Sequence, residues 1–587
     1  MYFDFTVRIP VIPGKITIKK KGDSSYVLYE YERTYDSNKQ FNVPRRAIIG
    51  KVCSDDSRMM SPNEKFQEFF PDFVLPEEHP SSNRSCCLRI GSYIVIESVL
   101  NEYCLATMLK KWIENDAGLL LDFVAYLLVD EENAGQYYPD FAFCHPLFSD
   151  GMKIFTDSKV SRFLASITTD MTIGFLNDWN AKRDHRQRVY ISYDSTNKNS
   201  QAGDVDLVEF GKAKDDRGLP IFNLAIAFDK TNRIPLFYEE YPGSINDMSQ
   251  FEFMVDKVVE YGYKKIGFIL DRGYFSKNNI QYIDANDYEF IIMVKGCKTL
   301  VSQLVLACRN TFENARDCAI RQFRTYGTTV KHKLYEDDRT ERYFHLYFSP
   351  GLMASEREQL ELKIDKFKAF IKKQEGTSML FGNTYQEYFT FHYNKEGELL
   401  FAEERKDVIE RQLSLCGYFS IITSEKMNAE EALVLYKGRD ISEKLFSSDK
   451  SFIGSKSMRT QTESSLSAKI FIEFIALIVR NRIYNLLREE MLKLEKKPNF
   501  MTVPAAIREL EKIEMVRRNN GLYRLDHAVT RTQKTILSSF GIDEDDVRKK
   551  ATEIGKKISS GQSLLDSNND DKEEETDNGE DQDDWLN

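Results

Sequence analysis

The sequence predicts an α/β protein built on a mixed β-sheet with flanking helices, interrupted by a β-rich insertion. Three observations carry that expectation. Five short apolar runs rich in β-branched residues lie between residues 189 and 294. The links after the third and fourth runs are of helix length, which suits parallel neighbours. A further strand in the same style, "GYFSIITS", returns only after about a hundred residues of different texture.

Taken in order, residues 1–185 are expected to form an N-terminal β-hairpin and a helical region. "KITIKKKG" and "SYVLYEYERTY" read as strands joined by a Gly-Asp-Ser turn, and "NVPRRAIIGKV" follows. Lys19, Lys20, Lys21, Arg45 and Arg46 make this stretch basic, which suits either contact with phosphates or a solvated hairpin. From about residue 100 to 185 the text is helical. In "SKVSRFLASITTDMTIGFLNDWNAKR" the residues Val160, Phe163, Leu164, Ile167 and Met171 recur near helical spacing.

Residues 186–300 carry "RVYISYDST", "FNLAIAFD", "IPLFYEEY", "KIGFILDRG" and "EFIIMVKG" as strands, with "NDMSQFEFMVDKVVEYGY" as an amphipathic helix between the third and fourth. Residues 301–405 form the insertion, with β-like runs "TTVKHKLY", "RYFHLYFS" and "EYFTFHYN" and one charged helix. Residues 406–495 return to the sheet. They end in "AKIFIEFIALIVRNRIYNLLREEM", whose Phe471, Phe474, Ile475, Ile478 and Leu486 are assigned to the core. Residues 496–560 are a small helical region beginning near Thr502. Residues 561–587 are an acidic tail expected to be disordered.

Composition narrows the function classes. The chain of 587 residues is 42% hydrophobic and carries a net charge of −11. Most of that charge sits from Asp566 onward, where eleven acids face the single Lys572, so the rest of the chain is near −1. The tail suits a solubilising appendage or a mimic of DNA phosphate. The longest apolar runs contain Asp122 and Glu473 and are too short to span a bilayer, so no membrane partner is expected. No signal peptide is evident, which points to the cytoplasm. The nine cysteines show no Cys-x-x-Cys spacing and the seven histidines no zinc-ligand pair, so a bound metal would be held by oxygen.

Candidate chemistry lies in two strand-ending acids and one charged stripe. Asp194 closes "VYISYD" and Asp271 closes "IGFILD", each before turn-forming residues. In an open sheet, ligands gather beyond the carboxyl ends of strands, and both acids point there if the first and fourth strands are neighbours. In "YKGRDISEKLFSSDK", helical phase puts Tyr436, Arg439, Glu443 and Lys450 within roughly 60° around one axis. Such a stripe suits solvent-exposed ion pairs or a phosphate grip.

Asp194, Asp271 in "DRGY", and the spacing Tyr-x2-Arg-x3-Glu-x6-Lys at 436–450 resemble the DDE transposases of bacterial insertion sequences, in the group with the Y-R-E-K signature. The resemblance spans about residues 90–540 and includes "PGSINDMSQF" at 242–251. It implies a ribonuclease-H-like catalytic domain in two parts, 186–300 and 406–495. Asp194, Asp271 and Glu443 would be the catalytic acids holding two Mg²⁺ or Mn²⁺ ions. Tyr436, Arg439 and Lys450 would bind DNA, and residues 1–185 would be an N-terminal DNA-binding region. Arg272 and Tyr274 would either assist in this or serve only the turn. The implied partners are double-stranded DNA, as transposon ends and target, and a second protomer in a synaptic complex. The implied location is the bacterial cytoplasm, with the nucleoid when DNA is bound. Two other readings remain open on the sequence: a transposase-derived DNA-binding protein without turnover, and a two-carboxylate glycoside hydrolase.

Overall fold

The computed structural model describes residues 7–567 except 23, 37–39, 54–56, 72, 74–83, 186, 201–204, 212–217, 246, 295–297, 339, 440–456, 459, 461, 495–497 and 518–522. Two compact units divide the chain, residues 1–82 and 83–587, so the region 1–185 spans the division.

The first unit is a five-stranded antiparallel sheet in the order β1-β5-β4-β3-β2, with β1 Val7–Arg8, β2 Ile16–Lys21, β3 Ser24–Asp36, β4 Phe41–Val52 and β5 Met59–Pro62. One helix, α1 (Glu64–Phe69), covers one face, because Val7, Val27, Ile49 and Met60 alternate inward to meet Phe66. Asn63 caps this helix by accepting from the Phe66 N–H.

The second unit opens with the short strand β6 (Cys87–Arg89), followed by helices α2 (Gly91–Glu102), α3 (Leu105–Ile113), α4 (Ala117–Asp130), α5 (Tyr138–Cys144), α6 (Asp157–Ser166) and α7 (Thr169–Ala181). The helical text at 157–181 is therefore two helices, where one periodic run was read. Thr168 accepts from the Met171 N–H and starts a new helix, an N-cap signal that overrides the apolar period. The acid inside the apolar α4 is Asp122, fully buried; its carboxylate accepts from the Phe148 N–H, and burial pushes its pKa up to about 7.

The central sheet has ten strands. Its path β9-β8-β7-β10-β11 joins β7 (Val189–Ser200), β8 (Ile221–Asp229), β9 (Ile234–Pro242), β10 (Ile266–Leu270) and β11 (Glu289–Met293). β7 pairs antiparallel with β8, and β8 with β9 through a short turn; β10 runs parallel to both β7 and β11, with a helix-length link before and after it. α8 (Asp247–Glu260) leads into β10, where its Phe251 packs on Phe268; α9 (Lys277–Ala285) links β10 to β11, and α10 (Lys298–Cys308) follows.

The insertion divides differently from its text. β13 (Thr325–His332) and β14 (Arg342–Phe348) extend the central sheet through β17 (Tyr418–Thr423), with the two-residue β12 (Ala319–Ile320) at the far edge. Their buried faces complete the main core, so pairing overrides the break in pattern seen at residue 300. The part that keeps its own small core is α11 (Pro350–Lys373) with α12 (Asn383–Gln386), the ribbon β15 (Phe389–Tyr393) and β16 (Leu399–Glu404), and α13 (Lys406–Ser414).

α14 (Ala429–Lys437) then crosses the sheet. A short strand, β18 (Ser457–Met458), pairs with the far end of β7 and leads into the 31-residue α15 (Glu463–Lys493). Phe471, Phe474, Ile475 and Ile478 are buried as expected, but Leu487 takes the core position assigned to the half-buried Leu486. Glu473, the acid in this apolar helix, is buried against Lys198 of β7 at 2.8 Å. The chain closes with α16 (Val503–Leu510), β19 (Glu514–Arg517), β20 (Tyr523–Leu525), α17 (Arg531–Ser538) and α18 (Glu544–Ser567). Residues 561–567, counted with the disordered tail, continue α18, and the remainder of the tail lies outside the described residues.

Candidate active site

The two acids are brought together by strand register. β7 and β10 are parallel neighbours whose last pairing is Tyr193 with Leu270, so Asp194 and Asp271 are the next residue on each strand. Tyr193 packs against Tyr274, which touches Phe251 of α8. Alternation turns the following residues, Asp194 and Asp271, to the opposite face.

That opposite face is covered by α14. Leu433 and Tyr436 of the helix pack on Ile269, Ile291 and Ile421 of the sheet. Asp194 does not end its strand, as the text suggested; β7 runs on to Ser200, held by β8 and by β18 at Asn199 and Ser200. The parallel ladder to β10 stops at Tyr193, and that is what opens the sheet beside Asp194.

Each carboxylate is oriented locally. Asp194 Oδ1 accepts from the Ser195 N–H at 3.0 Å, and Asp271 Oδ1 from the Arg272 N–H at 2.7 Å. Asp271 thereby caps the single turn Arg272–Tyr274. Arg439 completes this corner, with its guanidinium 3.2 Å from Asp271 Oδ1.

Three features place Arg439. Asn428 and Glu431 start α14 with a reciprocal capping box. The Tyr347 hydroxyl donates to the Ala429 carbonyl at 2.8 Å. At the other end Lys230, from the β8–β9 turn, donates to the carbonyls of Leu435 at 2.6 Å and Val434 at 3.2 Å. Burial lowers the Lys230 pKa to about 8. Gly438 leaves room for this cap, since a Cβ there would lie 1.9 Å from Lys230 Cε. No motif flagged Lys230; only the pairing of β8 with β9 carries it under α14.

The other candidates separate. α14 ends at Lys437, so Arg439 lies in the turn beyond it and not on a helical stripe. Tyr436 is 4% exposed, a core residue whose ring centroid lies 5.6 Å from the Arg439 guanidinium carbon. Glu443 and Lys450 lie outside the described residues. Arg272 is exposed and lines a cleft of about 970 Å³ between the end of β11 and the insertion, together with Lys363 and Arg411. Tyr274 is 1% exposed, packed between Tyr193 and Phe251, so it serves the turn and the core. Of the N-terminal cations, Lys19, Lys20 and Lys21 are exposed on the edge strand β2. Arg45 is paired with Glu32 at 3.5 Å, and Arg46 with the buried Glu30 at 3.1 Å. Among the described residues no three His, Cys, Asp or Glu side chains form a metal-binding group, and none of the helices is long and apolar enough to cross a membrane. Every described cysteine is a free thiol.

The mixed sheet thus sets two carboxylates side by side at the end of a parallel strand pair, the part of an open sheet where ligands gather. Residues 192–479 match the family described as "Transposase DDE domain", and that segment contains Asp194, Asp271, Tyr436, Arg439, Glu443 and Lys450. No curated protein matches the chain. Among solved structures it is similar to a piggyBac transposase in a synaptic complex with hairpin DNA, at 8% identity and a TM-score of 0.34, over 80% of this chain and 85% of that one.

Proposed function

We propose that the chain is a DNA transposase of the Y-R-E-K group of bacterial insertion sequences, which cuts double-stranded DNA at terminal inverted repeats and joins the freed end to a target. The observation that carries this reading is the pairing of Tyr193 with Leu270, which sets Asp194 and Asp271 side by side within the transposase DDE domain. The strand order β9-β8-β7-β10-β11, antiparallel in its first two pairings and parallel in its last two, supports a ribonuclease-H-like catalytic domain in two parts, 186–300 and 406–495.

The donor chemistry fits a hard divalent cation. Two carboxylates share one face at the open end of the sheet, and the contacts that orient Asp271 both fall on its Oδ1. Asp194, Asp271 and Glu443 would hold two Mg²⁺ or Mn²⁺ ions. When bound, these ions activate the attacking oxygen and stabilise the leaving oxygen of a phosphodiester. The chain's own residues do the rest. Backbone N–H groups of Ser195 and Arg272 fix the carboxylates. Arg439 exchanges Asp271 for a substrate phosphate, which its planar fork can grip bidentately. Tyr436 backs that guanidinium from the core, and Lys450 adds a second positive charge. Arg272, exposed beside Asp271, borders the path of the DNA. Two protomers acting on two transposon ends complete the proposal.

The test uses the purified chain, Mg²⁺ or Mn²⁺, and duplexes carrying the element's own inverted repeats. Nicking at the repeat ends is expected, with loss of cleavage and retention of binding in Asp194→Ala, Asp271→Ala and Glu443→Ala. Normal cleavage by Asp271→Ala would overturn the assignment.

A further inference from the structure

We propose that the helix-free face of the N-terminal sheet, centred on Lys19, Lys21 and Lys51, is a binding surface for the phosphate backbone of duplex DNA. This rests on the transposase reading and adds to it where DNA is held away from the acids.

Register builds the surface. Residues directly opposite in antiparallel strands project to the same side. Lys19 pairs Tyr26, Tyr26 pairs Lys51, and Lys51 pairs Ser61, so one row crosses four strands. Lys21, opposite Ser24, extends the row along β2, and Arg8, opposite Met59, extends it at the far edge. The buried residues fix which side this is. Val7, Val27 and Met60 turn toward α1, so Arg8, Tyr26 and Ser61, each one position away, turn from it.

Arg8, Lys19, Lys21 and Lys51 are exposed, and Tyr26 is half-buried between two of the lysines. Strand geometry spaces Lys19 and Lys21 by about 7 Å and Lys19 and Lys51 by about 10 Å, close enough to meet several phosphates of one duplex at once. The next acid on this face of β3, Glu30, is already held by Arg33 at 2.6 Å and Arg46 at 3.1 Å, which keep its carboxyl below the usual range. The opposite side differs in charge, since α1 brings the exposed Glu64 and Glu68. Lys20, adjacent in sequence, alternates toward that side, so the surface is a subset of the basic run and includes residues 30 positions away.

The full chain and its triple variant Lys19→Gln/Lys21→Gln/Lys51→Gln are titrated with duplex DNA by fluorescence anisotropy between 50 and 200 mM salt, with Lys65→Gln on α1 as the control. Loss of three phosphate contacts should lower the slope of log affinity against log salt by about 2–3 and weaken binding at least about tenfold at low salt. Bound DNA should also protect these three lysines of the unmutated chain from acetylation while Lys65 stays reactive, a readout independent of how the variant folds. If the unmutated chain binds and cleaves DNA while slope and acetylation stay unchanged, the surface is wrong and the transposase reading stands. If the chain binds no duplex, both fall. An equal loss confined to duplex RNA would overturn the assignment to DNA.

Discussion

The Arg439 guanidinium lies 3.2 Å from the Asp271 carboxylate and against the ring of Tyr436, so a cation from the chain stands beside one of the two paired acids. A divalent cation and a phosphate would compete for the two ends of this pair. Arg439→Ala should therefore shift two quantities in opposite directions. Affinity for Mn²⁺ without DNA, followed by calorimetry, should rise about two- to fivefold, the scale of a partly exposed ion pair. Cleavage of repeat-bearing DNA should fall by about two orders of magnitude, as for loss of one preorganised donor. A fall in both would mean that Arg439 supports the carboxylates and does not compete for them.

Gly438 and Lys230 should behave as one unit. A methyl group at 438 displaces the lysine from the carbonyls of Val434 and Leu435, and Lys230→Met removes the same cap. Each change should cost about 1–2 kcal/mol of stability in denaturant unfolding, as for loss of a helix cap. Because both delete the same contact, the double variant should fall well short of the sum. Full additivity would show that the glycine serves another purpose.

The buried pair of Lys198 and Glu473 ties β7 to α15, four residues beyond Asp194 on the same face of the strand. Lys198→Met alone or Glu473→Leu alone should destabilise by about 3–5 kcal/mol, because each leaves a charge in the interior. The combined variant should recover most of that loss. Thermal unfolding of the three variants decides the point; equal loss in single and double variants would count against it.

His345 joins three strands. Its two ring nitrogens meet the hydroxyls of Thr329 on β13 and Thr423 on β17 at 2.9 and 3.0 Å, and burial pulls its pKa down to about 4. The unfolded chain takes up this proton near 6.5 and the folded one resists it, so stability is full above about pH 6.5 and is lost as pH falls toward 4. The loss is at most about 3 kcal/mol. The stability difference between the wild-type chain and His345→Gln, measured by denaturant unfolding at pH 7 and pH 4, should shrink by that amount. A difference constant with pH would show that His345 takes up its proton in the fold as readily as in the unfolded chain, and that burial does not depress its pKa.

Strand identity in this chain was legible because the core runs are short, β-branched and bounded by turns. Asp194 and Asp271 could be picked out because each interrupts an apolar run. The spacing of Tyr436, Arg439, Glu443 and Lys450 rests on local helical phase, and two of the four, Glu443 and Lys450, lie outside the described residues. The helix stops at Lys437, and Tyr436 turns into the core.

What remained hidden is non-local. A carboxylate at a strand tip has no partner until register is set, and register comes from pairings between residues some 80 positions apart, such as Tyr193 with Leu270. The cap from Lys230 and the sheet row of Lys19 and Lys51 have the same origin. Local sequence determined which segments became strands and helices, because period and caps act within a few residues. Only tertiary packing decided which side chains meet, because burial rewards contacts without regard to distance along the chain.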